Sequence, residues 1–208
     1  MTELSTEMIQ QSKKKQIALL GMGILLYVLL TLGAVAFYRS GTTQLQCRMV
    51  QNMIYLLMFG ICLLLMWLGK QSFSHYGWSF RKLGLQIGIG LAIGAGLTLF
   101  MMMFGDLPRI PQTLPYVVLS QLLVGMSEEA FWRGFVLQTL QDLDISKNRS
   151  ILLSSLLFGL CHFPIQFSMM QVLVSFVIGL IFAALRTEFK EIIGIPTLLI
   201  GHAWNNIF

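Results

Sequence analysis

Six side chains in the second half of this 208-residue chain are of types that move protons or stabilise charge: Glu128, Glu129, Arg133, His162, His202 and Asn206. All lie within apolar runs. An ionisable group inside a membrane helix costs at least about 2.5 kcal/mol on insertion scales, so such groups mark functional sites. Their spacing sorts them. Glu129 and Arg133 are four residues apart, so on a helix they share a face and can form an ion pair. Glu128 is turned about 100° from Glu129 and is free to face another helix. Phe158 and His162 repeat the four-residue spacing, as do His202 and Asn206. A carboxylate without a partner on its own helix, two imidazoles and an amide are groups that can move a proton and stabilise developing charge.

The elements that must position these groups are membrane helices. The chain is 56% hydrophobic and only 11% charged, with a mean hydropathy of +0.75. Soluble domains carry about a quarter charged residues, so this chain has too little polar surface to coat a globule in water. Seven apolar segments are read, at about 17–38, 50–68, 83–105, 114–141, 150–163, 168–185 and 191–208. The runs are continuous rather than alternating, which selects helices over a closed barrel. The expected fold is an all-α transmembrane bundle. The first segment follows Lys13-Lys14-Lys15 and is longer than a signal-peptide core of roughly 7–15 residues, so it is read as an uncleaved anchor.

With the N-terminus inside, the inner loops hold Lys13, Lys14, Lys15, Lys70, Arg81, Lys82, Lys147, Arg149, Arg186 and Lys190. The outer ones hold Arg39, Arg48 and Arg109, and Arg133 remains within a helix. Ten against three sets a cytoplasmic N-terminus. Depth then follows. Glu128, His162 and His202 lie 14, 13 and 12 residues from the inner markers Asp142, Arg149 and Lys190. At 1.5 Å per residue, all three sit roughly 18–21 Å from that end. Three polar groups on three helices are thus expected at one level near the midplane.

At this point the motifs carry a resemblance. Glu128-Glu129-Ala130-Phe131-Trp132-Arg133 reads EExxxR, Phe158 to His162 reads FxxxH, and His202 to Asn206 reads HxxxN. In this order on hydrophobic helices, they resemble the three motifs of the CPBP family of CAAX-processing and bacteriocin-immunity (Abi) intramembrane proteases. The resemblance spans about residues 114–208. It implies a protease core there, with 1–113 supplying N-terminal membrane helices, and a bacterial cell membrane as the location. It also implies an intramembrane endopeptidase acting on a peptide or membrane-protein substrate, in CAAX-like cleavage, bacteriocin or peptide processing, or self-immunity. Glu128 matches the family glutamate taken as general base. A carboxylate held in a low-dielectric site is suited to proton transfer near neutral pH. His162 would help hold the water, and His202 and Asn206 would donate to the oxyanion. Glu129, Arg133 and Phe158 would support them.

Two matters stay open at this stage. Glu128, His162 and His202 form a conceivable three-ligand zinc site. Against that, no HExxH is present and Asn206 has a use as a hydrogen-bond donor but none as a zinc ligand. The cofactor is therefore none, or a divalent metal such as zinc. A non-catalytic immunity or scaffold protein of the same fold, and a proton-coupled transporter, are the rival functions. No paired repeats of helices favour the transporter.

The remaining residues read as structural. Cys47, Cys62 and Cys161 show no CxxC spacing. His75, beside Tyr76 and Trp78, reads as interfacial. Trp132 and Trp204 read as packing. Gly84/Gly88 and Gly90/Gly94 are small-xxx-small pairs expected to admit close helices. The positive net charge of +5 lies mostly between apolar runs, where it anchors helices at anionic headgroups rather than binding nucleic acid.

Overall fold

The computed structural model describes residues 3–40, 43–103 and 114–207. Each of the seven apolar segments is helical, and the described residues contain no strand. Helix α1 (Glu3–Arg39) runs unbroken through the first segment. α2 (Gln44–Leu68) starts where Thr43 accepts from Gln46 N–H while the Gln46 side chain accepts from Thr43 N–H, a capping box. α3 is Leu83–Met102. α4 (Leu114–Glu129) continues without a break through a π-helical turn, Ala130–Val136, into α5 (Leu137–Asp142). α6 is Lys147–Cys161, α7 a single turn at Phe163–Gln166, α8 Met169–Glu188 and α9 Ile195–Ile207.

α1, α2, α3 and α8 are long and apolar enough to cross a membrane singly. α6 and α9 have 15 and 13 residues. At 1.5 Å each that is about 20–22 Å, short of a hydrocarbon core near 30 Å. These two are held inside the bundle by their neighbours. α9 lies between α3 and α4, and glycines set both approaches. A methyl on Gly90 would come 2.6 Å from the Thr197 carbonyl, and one on Gly125 would come 2.8 Å from that of Leu199. Gly84 and Gly88, expected to act the same way, face open space. Among the described residues it is the Gly90/Gly94 pair that admits a close helix, α9. Trp204 packs on Gly94, as its packing role required.

Pro196 does not break the last helix; it sits in the first turn of α9, where a missing N–H costs nothing. The helix starts at Ile195, later than the apolar run, and Ile195 N–H bonds to the Gly77 carbonyl at 2.9 Å. Asn52 ties α2 to α4: its amide donates to Tyr116 and accepts from Ser120.

Contacts sort the two ends of the bundle. At one end Lys13 pairs with Asp144, Lys147 with Glu188 at 2.7 Å, and His75 Nε2 with Asp142 at 2.9 Å. His75, read as an interfacial side chain, thus fastens the 69–82 loop to the end of α5. At the other end Arg39 lies over the Phe167 ring at 4.4 Å. Every described cation assigned to the inner side belongs to the first end by chain direction, and Arg39 and Arg48 to the second. Between site and first end lies a packed core. Phe131, Trp132, Phe135 and Tyr27 are buried there with Cys62, Leu65, Met66 and Tyr76. Tyr27 stacks on Phe131 at 4.8 Å.

Candidate active site

The three motifs meet. α4 delivers Glu128 and Glu129 at its last two residues, immediately before the π-helical turn. The π turn closes with Leu137 N–H bonded to the Trp132 carbonyl, and Ser154 of α6 also donates to that carbonyl at 2.9 Å. Extra-wide turns of this kind recur at functional sites. Arg133 Nη1 donates to Glu129 Oε1 at 3.0 Å, the predicted pair four residues apart, with both side chains at most 1% exposed. The same Glu129 oxygen accepts from His202 Nδ1 at 2.6 Å. His202 Nε2 then points at Glu128 Oε2, 3.6 Å away. Glu128 Oε1 accepts from Tyr55 Oη of α2 at 3.2 Å.

Glu129 is therefore more than half of an intrahelical pair. It bridges the guanidinium on its own helix to the imidazole on α9. Because a carboxylate can only accept, Nδ1 of His202 carries the hydrogen, and Nε2 faces the cavity and Glu128. Two carboxylates against one guanidinium leave one formal negative charge.

His162 sits at the junction of α6 and α7, where Pro164 starts a new turn. Its Nδ1 donates to the Phe158 carbonyl at 2.8 Å. A carbonyl accepts only, so Nε2 of the neutral ring holds a lone pair toward the cavity. Phe158 lies at the centre of this arrangement. Its ring meets the His162 ring edge-on at 4.7 Å, lies 6.4 Å from that of His202, and carries the Arg133 guanidinium over its face at 4.1 Å. That cation–π contact gives Arg133 a second partner beyond Glu129.

Glu128, His162, His202 and Asn206 all line one cavity of about 370 Å³. A second, of about 450 Å³, lies between α1, α2 and α6–α7 and meets the first at Glu128, His162 and Tyr55. The common depth expected for Glu128, His162 and His202 is what allows one cavity to touch all three. Asn206 shares the face of His202, as its spacing required. It is exposed at the cavity margin, where Nδ2 donates to Gln121 at 3.1 Å. An amide nitrogen has two hydrogens, so one remains for another acceptor.

Among the described residues no three His, Cys, Asp or Glu side chains are grouped to hold a metal ion. His202 Nδ1 is held by Glu129 and His162 Nδ1 by the Phe158 carbonyl, which leaves Nε2 of each ring toward the cavity.

Sequence reasoning missed Tyr55 and Gln51, which lie in the first half of the chain. The signal was present. Gln51, Asn52 and Tyr55 are polar interruptions of an otherwise apolar helix, and 51 and 55 share a face. Cys161, read from the sequence as structural, lines the larger of these two cavities.

The carboxylate–histidine centre lies within an all-helical membrane bundle, and one known family matches this part of the chain. Residues 110–208, just under half of the chain, match the family described as type II CAAX prenyl endopeptidase Rce1-like. This region, from α4 to α9, is thus similar to the CAAX protease family, in line with the resemblance carried by the three motifs. At family level the match supports an intramembrane endopeptidase with a peptide or protein substrate. Neither a curated protein nor a solved structure gives a match.

Proposed function

We propose that the chain hydrolyses a peptide bond with a water activated by Glu128, without a metal. The observation that supports this best is the relay Arg133–Glu129–His202–Glu128, which ends on a carboxylate oxygen facing a cavity. The 3.6 Å gap between His202 Nε2 and Glu128 Oε2 is too long for a direct hydrogen bond. It suits a water lying about 2.8 Å from each, the usual spacing for such bonds. Glu128 takes a proton from that water as the oxygen attacks the carbonyl carbon, and the second hydrogen of the water points to the Nε2 atoms of His202 and His162. The tetrahedral oxyanion is met by the spare hydrogen of Asn206, and by His202 Nε2 in the protonated ring. Glu128 then returns its proton to the leaving amine, the C–N bond breaks, and acid and amine products depart.

Glu129 and Arg133 position His202 rather than touch substrate. Tyr55 aims Glu128 in the same way. Residues 1–113 are on this reading a supporting membrane part and 114–208 the protease core. A role in bacteriocin or peptide processing, or in self-immunity, in a bacterial cell membrane fits this chemistry. The test is Glu128→Gln. Membrane fractions from cells with wild-type and variant chains are compared for protein termini created by cleavage. Termini that depend on Glu128 support the reading, and identical sets refute it.

A further inference from the structure

The cavities that meet at Glu128 both extend toward one end of the bundle. On α1 the lining runs from Tyr27 to Arg39, twelve residues or about 18 Å. On α2 it runs back from Met58 to Cys47, over a similar length. The smaller cavity follows the same direction, from Phe182 to Gln171 on α8 and from His202 to Asn206 on α9. Toward the other end the way is filled. Phe131, Trp132, Phe135, Leu65 and Tyr76 are each at most 3% exposed and belong to one continuous core. Close-packed interiors leave few voids larger than a water molecule.

The open end is the one with Arg39 over Phe167. The filled end carries the Lys13–Asp144, Lys147–Glu188 and His75–Asp142 ties and ten of the chain's fourteen Lys and Arg residues. Excess Lys and Arg mark the cytoplasmic side. The lining also has a distinctive chemistry. Gln51, Gln121, Gln171, Asn205 and Asn206 surround the smaller cavity. Each carboxamide both donates and accepts, as does each peptide unit of an extended chain.

We propose that the site is reached from the end bearing the α1–α2 and α6–α8 connections, that this end faces away from the cytoplasm, and that the substrate is an extended peptide segment exposed on the extracytoplasmic side. The substrate part rests on the endopeptidase reading above; the access part does not. A cytosolic protein C-terminus is on this geometry on the wrong side of the aromatic core.

Sealed right-side-out and inverted membrane vesicles carrying the full chain provide the test. In one set the native cysteines are replaced by serine and a single thiol is introduced by Gln51→Cys at the cavity or Ser74→Cys in the 69–82 loop. In a second set Cys47, at the cavity margin, is kept as the sole thiol, so that no new side chain enters the site. The probe is a charged, membrane-impermeant maleimide. The position 51 and Cys47 thiols are expected to react in right-side-out vesicles and the position 74 thiol only in inverted ones. The reverse pattern overturns the proposal. A parallel assay supplies wild-type and Glu128→Gln vesicles with a pool of impermeant, internally quenched peptides. Glu128-dependent release confined to right-side-out vesicles supports the substrate part, and release confined to inverted vesicles overturns it. If labelling is external but no peptide is released, even by detergent-solubilised protein, the endopeptidase reading and the substrate part fall while the access part stands.

Discussion

The same substitution at two adjacent positions separates catalysis from architecture. Glu129→Gln replaces a charge that binds Arg133 at 3.0 Å and His202 at 2.6 Å. A glutamine oxygen still accepts from one of them, but the guanidinium loses its counter-charge in a site almost closed to solvent. Breaking a buried pair by removing one partner costs about 3–5 kcal/mol, and the retained acceptor places this variant near the lower figure. Glu128→Gln differs. Its bond from Tyr55 is kept by the amide oxygen, and its distance to His202 is already beyond a hydrogen bond. The stability change is then about 1 kcal/mol or less, the worth of one ordinary hydrogen bond. For 150–250 residues each kcal/mol shifts Tm by about 2–4 °C. Glu129→Gln is therefore expected to lower Tm by roughly 6–12 °C and Glu128→Gln by at most about 4 °C. Thermal unfolding of detergent-purified protein, followed by fluorescence of the buried Trp132, reads the difference. Cleavage is expected to vanish in Glu128→Gln and to fall in Glu129→Gln. Equal Tm losses, or full activity in Glu128→Gln, would refute the division of labour.

Other outcomes follow from the same geometry. Tyr55→Phe removes one hydrogen bond to a carboxylate, worth about 1.5–3 kcal/mol, so kcat is expected to fall by about 10–100-fold with the fold intact; an unchanged kcat sinks the aiming role. Asn206→Ala is expected to lower kcat by roughly 10²–10³ with little change in KM, because the interaction forms in the transition state. A raised KM at constant kcat would make Asn206 a binding residue instead. Removing divalent metal from the purified protein with a chelator is expected to leave cleavage unchanged. Stoichiometric zinc, with activity lost on chelation and regained on metal addition, would reverse the metal-free account.

Much was determined by the sequence alone. Low charge and long apolar runs require a helical membrane bundle, because only hydrogen-bonded helices satisfy the backbone in lipid when alternation is absent. The four-residue spacings of Glu129/Arg133, Phe158/His162 and His202/Asn206 became an ion pair, a ring contact and a shared cavity face, since one helix turn dictates those neighbours. The common level expected for Glu128, His162 and His202 from helix rise is matched by the one cavity that all three line. Other features needed the tertiary structure, because they depend on rotation about helix axes and on which helix lies opposite. No periodicity predicts that His202 Nδ1 turns to Glu129 rather than waiting as a free donor. Nor does it predict that α2, outside the matched region, places Tyr55 on Glu128. Gly84/Gly88 and Gly90/Gly94 are equivalent as patterns, yet only one pair meets α9. The two cavities that meet at Glu128 are of the same kind, since no pattern in the sequence says which helix faces bound them.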